Sequence, residues 1–286
     1  GLMNVDKVLN YHFEDMQPAY TERDVMLYAL GVNAALDPLN EAELRYVFED
    51  GLVALPSYAM VLGHPGFWLR DPELEIDWVK ILHAEQFLTM ARPLPPRGQV
   101  AASYRVTGIT DKGPEKGCIL YYEKTLREIE GGAEIGRVTS GVFCRGDGGT
   151  GNHGSVPEAL QPLPPTEPDM SVTRKADPRS ALIYRLSGDY NPIHASPPVA
   201  AKAGYDRPIL HGLCTMGIAG QLLFEEMAGG EPARFGGFAC RFSRPVFPGD
   251  TLRTDIWKTG DGARFRVTVE DRNEVVLDRG QASLVG

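Results

Sequence analysis

The sequence predicts an α+β fold built twice over, and three observations carry that reading. The chain repeats itself faintly, a glycine- and proline-rich stretch separates the copies, and the second copy pairs a strongly apolar helix with alternating strands. The repeat lies in the order of the parts. "RDVMLYALGVNAALDP" near residue 30 resembles "RSALIYRLSGDYNPIHASP" near residue 185. "ARPLPPRGQVAASYRVTGI", from Ala91, resembles "SRPVFPGDTLRTDIWKTG", from Ser243. In each copy an Arg-Pro-x-x-Pro element opens an alternating segment, so a duplicated fold is the economical explanation.

Between Gly146 and Pro168 stand five glycines and five prolines. Neither a helix nor a central strand survives that composition, so the stretch reads as a surface connection. Gly146, Gly148 and Gly151 spell a literal GxGxxG. A dinucleotide site needs a helix to begin there, and a proline-rich tail follows instead. The expected organisation is therefore residues 1–145, a linker at 146–170, and residues 171–286.

The strands are clearest in the second half. In "TLRTDIWK", Leu252, Thr254 and Ile256 share one face; in "RFRVTVED", Phe265, Val267 and Val269 do. "VVLDRGQASLV" is a further strand. "RPILHGLCTMGIAGQLLFEEMAGG" has helical spacing: Pro208 suits a first turn, Leu213, Met216, Gly220 and Leu223 fall near one face, and Gly229 and Gly230 supply the stop. By repetition, each half should be one long helix against an antiparallel sheet.

The chain has 286 residues, 43% hydrophobic and 23% charged, a globular composition with no apolar run near the roughly 20 residues a bilayer span requires. No signal-peptide pattern or SKL-type address is visible, so a cytoplasmic setting without membrane association is expected. A net charge of −9 argues against general nucleic-acid binding. Cys118, Cys144, Cys214 and Cys240 are widely spaced with no CxxC pair, which points to reduced, buried thiols rather than zinc or a disulfide framework.

"SGDYNPIHASP", residues 187–197, concentrates chemistry: Asp189, Asn191 and His194 lie within six positions around Pro192. The proline disfavours a continuous helix, so a turn that folds the side chains toward one point is expected. A carboxylate and an imidazole on one water molecule share acid and base duties near neutral pH. The competing reading is an Asx turn with an ordinary histidine. "ILHGLCT", residues 209–215, shifts the balance. An N–H at Gly212 in a first helical turn lacks an intrahelical partner, and glycine lets a carbonyl oxygen approach it. The alternative is that Gly212 merely permits close packing.

Together, "YRLSGDYNPIHASPPVAAKAGYDRPILHGLCTMG" closely resembles the hydratase 2 motif of the MaoC-like (R)-specific 2-enoyl-CoA hydratases. "YTERDVMLYALGV", "LHAEQFLTMARPLPPRG" and "RFSRPVFPGDTL" resemble other parts of the two-repeat form, so the resemblance covers most of the chain. It implies a double hot dog fold and reversible syn hydration of trans-2-enoyl-CoA. It also implies Asp189 and His194 as the catalytic pair, Asn191 as a supporting amide and Gly212 as the backbone donor to the thioester oxygen. No metal or redox cofactor is implied, coenzyme A being part of the substrate, and a homodimer is expected. The first half has "LGVNAALD" where the second has "SGDYNPIH", so it should be catalytically silent and give room to the acyl tail. His83 and Glu85 match the family pattern and are expected at the start of the first half's helix. Glu49 resembles a glutamate of the family, or is simply solvated. Lys202, Arg207, Arg241 and Arg244 are candidates for the coenzyme A phosphates, or scattered surface charges. The rivals are a 3-hydroxyacyl-thioester dehydratase, a hot dog thioesterase and a non-catalytic acyl-CoA binding module.

Overall fold

The computed structural model describes residues 2–286. In chain order the helices are α1 (Val5–Leu9), α2 (Glu22–Gly31), α3 (Glu41–Leu44), α4 (Ser180–Tyr184), α5 (Pro197–Lys202) and α6 (Gly212–Ala228). The first-half strands are β1 (Ala19–Tyr20), β2 (Ile81–Met90), β3 (Gly98–Asp111), β4 (Cys118–Glu128) and β5 (Glu134–Cys144). After the short β6 (His153–Gly154) come β7 (Met170–Lys175), β8 (Phe235–Phe242), β9 (Thr251–Thr259), β10 (Gly262–Val269) and β11 (Glu274–Leu284).

All of them form one sheet in the order β1-β3-β4-β5-β2-β8-β11-β10-β9-β7, with β6 paired to β3. Folded about the β2–β8 seam, the order is the same on both sides: β1 answers β7, β3 answers β9, β4 answers β10 and β5 answers β11. The internal repeat is thus written into the topology as an intrachain pseudo-dimer, the double hot dog. At the seam β2 and β8 run antiparallel, Glu85 opposite Arg241 and Phe87 opposite Ala239.

The second half has its long helix. From Cys214 to Phe224 every residue of α6 is buried, as expected of a helix apolar on all sides and wrapped by a sheet. It stops at Gly229, which takes the left-handed conformation (φ 60°). The Gly230 N–H then reaches back to the Phe224 carbonyl. Helix α6 begins at Gly212 and not at Pro208. Residues 208–210 take no regular secondary structure, and the Leu210 N–H donates to the Val246 carbonyl.

The first half departs from the expectation of a second long helix. Its central segment is broken into α3 and a 3-10 helix, Pro56–Met60. Pro56 removes a donor, and the turn is closed from below by a buried lysine. Lys124 Nζ donates to the carbonyls of Ala59, Met60 and Leu62 at 2.7, 3.3 and 2.6 Å. Glu43 of α3 is buried against α6, bonded to Gln221 and, at 3.0 Å, to Arg174. A smaller second core under α1 packs Phe13, Trp68, Ile109 and Leu120 against the far end of the same strands. His83 and Glu85 lie on β2, not at a helix start. Glu85 is buried and accepts from the Tyr121 hydroxyl, while His83 pairs with Gln86 at 2.8 Å.

The glycine-rich stretch holds no helix. The amides of Gly149 and Gly151, with that of Gly113, converge on the carboxylate of Asp111 at 2.9–3.0 Å, so the loop encloses the protein's own anion. Further on, it is pinned along the second half by Trp257 donating to the Thr166 carbonyl and Arg279 to the Leu160 carbonyl.

Candidate active site

The repeat brings α2 and α4 against each other, with Gly31 so close that a Cβ there would stand 3.0 Å from Tyr184 Cα. Out of α4 the chain turns at Gly188 (φ 133°) and makes two successive Asx turns. The Asp189 carboxylate accepts from the Asn191 N–H at 3.1 Å, and Asn191 Oδ1 from the Ile193 N–H at 3.1 Å. Pro192–His194 then forms one 3-10 turn. The expected turn is present as two Asx turns, and it leaves the Asp189 and His194 side chains close to each other. Asn191 spends its oxygen on the turn, and its Nδ2 donates to no described residue.

His194 Nδ1 lies 2.9 Å from the Ile209 carbonyl. A carbonyl only accepts, so Nδ1 carries the hydrogen and Nε2 is left as a bare lone pair. Burial pushes the His194 pKa below its usual value, while the Ile209 carbonyl and the Asp189 charge hold it up. The ring is neutral at pH 7.

A second histidine completes the group. His211, directly before Gly212, is 2% exposed and stacks on His194 with ring centroids 3.6 Å apart at 23°. Its Nε2 faces the Asp189 carbonyl oxygen at 3.2 Å. One ligand-type atom each from Asp189, His194 and His211 falls within 4.8 Å of the others. The stacked rings leave one free ring nitrogen each beside a carboxylate, an arrangement suited to handling protons. His211 carries no motif signal of its own in the sequence, although it stands directly beside Gly212.

Gly212 opens α6 and is exposed, with His211 at the N-cap and no side-chain cap. The His211 carbonyl takes the amides of Cys214 and Thr215. The Gly212 N–H meets no acceptor among the described residues, at the positive end of a 17-residue helix. Gly212 and Thr215 line a cavity of about 290 Å³, together with His83, Ile209, Phe242 and Arg244. His194 is joined to this wall through the Ile209 carbonyl, and Asp189 through His211, which precedes Gly212. The Thr215 and Tyr184 hydroxyls and His211 Nδ1 are buried without partners, a concentration typical of functional sites.

His64, given no role from sequence, has its pKa lowered by desolvation, which the Asp189 charge partly offsets. Of the candidate cations, Arg244 is exposed at the cavity and Arg241 faces Glu85 across the seam. Arg207 leans on Asp250 at 3.7 Å and on the Phe247 ring, and Lys202 is exposed at the end of α5. Glu49 is exposed, in keeping with the solvated reading. The four cysteines are buried and free, and among the described residues no helix is long and apolar enough to cross a membrane.

Comparison with known proteins agrees with this architecture. The "MFE-2 hydratase 2 N-terminal domain" model matches residues 19–146, and the "MaoC like domain" model matches residues 159–278. The peroxisomal enoyl-CoA hydratase 2 of Arabidopsis thaliana is 34% identical, over 96% of this chain and 93% of its own. The 3-hydroxyacyl-thioester dehydratase Y of Mycobacterium tuberculosis is 36% identical over 95% of both. The crystal structure of a MaoC-like dehydratase from Phytophthora capsici superposes with a TM-score of 0.87 at 34% identity, over 99% of both chains. The chain belongs to the MaoC-like dehydratase family, in its two-domain hydratase 2 form.

Proposed function

We propose that this protein is an (R)-specific 2-enoyl-CoA hydratase, adding water reversibly and syn to trans-2-enoyl-CoA to give (R)-3-hydroxyacyl-CoA. The observation that carries the reading is the Asp189 carboxylate and the His194 imidazole, within 4.8 Å of each other, beside the free N–H of Gly212. The thioester oxygen accepts from that N–H, where the helix end stabilises the enolate-like charge; losing such a donor costs about 3 kcal/mol in other enzymes. His194 Nε2 takes a proton from water as its oxygen attacks the β-carbon. The Asp189 oxygen not held by Asn191 grips the same water, and the proton taken by His194 passes to the α-carbon from the same face, which leaves the imidazole neutral again. The thioester itself makes the β-carbon electrophilic, so no resident metal or redox cofactor is required.

The broken central segment of the first half supports a role in housing the acyl tail. Among the described residues the acid–imidazole cluster occurs only in the second half. Four free thiols support a reducing, cytoplasmic setting, and a homodimer is proposed on the family resemblance. The same residues catalyse the reverse step, and a relative named as a 3-hydroxyacyl-thioester dehydratase supports that second reading.

The test is hydration of trans-2-decenoyl-CoA, followed by loss of the conjugated thioester absorbance with chiral analysis of the product. Wild type, Asp189→Asn and His194→Gln are compared, with folding checked by circular dichroism. An (R)-3-hydroxy product, lost in both folded variants, is expected. Free coenzyme A as product would mean a thioesterase, and activity only on carrier-protein thioesters would favour the dehydratase.

A further inference from the structure

The side chain of His211 does something unusual for an N-cap position. It leaves the helix amides alone and turns back, so that one residue touches all three parts of the site. Its backbone leads into Gly212, its Nε2 meets the Asp189 carbonyl oxygen at 3.2 Å, and its ring covers one face of His194 at 3.6 Å. Tyr184 backs it from another side, ring centroids 4.6 Å apart. We infer that His211 is a positioning residue for the hydration: it locks the His194 ring and the Asp189 peptide in register with the Gly212 N–H, and shields one face of the base from water. The inference rests on the hydratase reading of the same site.

The chemistry follows from the partners. Facing a carbonyl, Nε2 donates, so the neutral ring keeps its lone pair on Nδ1, which is buried and has no partner. A proton added there would find no acceptor, and the charge would sit against His194. Burial, with His194 adding to it, pushes the His211 pKa down to about 4. The ring over the base therefore stays neutral through the working range and does not compete for the proton that His194 must accept. The groups that face it are Asp189, His194 and Arg185, with Tyr184 packed alongside. The stack also limits rotation of His194, which the Ile209 carbonyl alone holds at only one point. A misplacement of about 1 Å at a reacting group costs on the order of 10²-fold in rate.

Three variants separate these contributions: His211→Phe keeps the stack and loses the donor, His211→Gln keeps a donor and loses the stack, and His211→Ala loses both. The assay is enoyl-CoA hydration from pH 5 to 9, with kcat and KM resolved and thermal unfolding run alongside. Expected is a fall in kcat of roughly 10²-fold in His211→Ala, with KM changed far less. Water reaching His194 in the Gln and Ala variants should move the acid limb of the rate profile upward, while His211→Phe leaves the limb in place at reduced kcat. Variants that unfold more readily but keep wild-type kcat and acid limb would overturn the inference, leaving His211 a packing residue. A wild type that does not hydrate enoyl-CoA would overturn the functional reading instead, which the same experiment shows first.

Discussion

Replacing Lys124 by Met should destabilise the protein by about 2–5 kcal/mol, the cost of leaving several buried carbonyls without a donor. The magnitude comes from what the ammonium holds. Three carbonyls of the 3-10 segment and its exit, those of Ala59, Met60 and Leu62, are satisfied by this one group. Each orphaned acceptor costs about 1–3 kcal/mol, and partial relaxation keeps the total below the sum. Against this stands the cost of burying the charge, which pushes the Lys124 pKa from 10.5 down to about 7. The folded state therefore releases the proton before the unfolded chain does. Below about pH 7 both states are charged and the burial penalty is complete; above about 10.5 both are neutral and it vanishes. Between these limits wild-type stability gains from rising pH in a way that Lys124→Met cannot. The destabilisation by the variant should accordingly be larger at pH 9 than at pH 7. Urea unfolding of both proteins at the two pH values measures it, and the difference cancels every other titrating group. A cost below 1 kcal/mol, or a gap that narrows with pH, would refute this account of the clamp.

Two further outcomes follow from the geometry. Asp189→Asn preserves the acceptor for the Asn191 N–H, so the turn should survive while the rate falls about 10²–10⁴-fold, the usual worth of a positioned acid or base. Because the Asp189 charge raises the His194 pKa, the acid limb of residual activity should move to lower pH; an upward move in the pH–rate profile would contradict the assigned electrostatics. Asp111→Asn should loosen the glycine-rich loop, seen as faster amide hydrogen exchange at Gly149 and Gly151. The backbone amides hold the Asp111 pKa below its ordinary value, so the wild-type loop should itself loosen as pH falls through that lowered pKa, whereas the variant should show no such step.

The readable parts of this molecule were those whose cause is local. Asp189, Asn191 and His194 are brought together by turns written within the same six residues, and the Gly229 stop and the strands after each Arg-Pro element are equally short-range. What escaped depends on distant partners. The first half resembles the second in order, yet its central helix is interrupted at Pro56 and completed by Lys124, 60 and more residues away in sequence. His83 and Glu85 looked like a helix start, but with Gln86 they lie on a strand, where Gln86 accepts from Ser140 and Glu85 from Tyr121, side chains of two other strands. His211 lay in plain view beside Gly212. Its meaning required the ring of His194 above it, which only the folded chain supplies.

The seam between β2 and β8 has a consequence for how the two halves exist at all. Cutting the chain in the linker would leave each fragment with a bare strand edge: Phe87 and Thr89 on one, Gly237 and Ala239 on the other. Unpaired edges recruit one another indiscriminately. Covalent tethering keeps the correct partner always within reach, so the half that carries no acid–imidazole cluster can diverge freely without ever losing its mate. The duplication thus acts as a permanent chaperone, one that frees its own sequence to specialise.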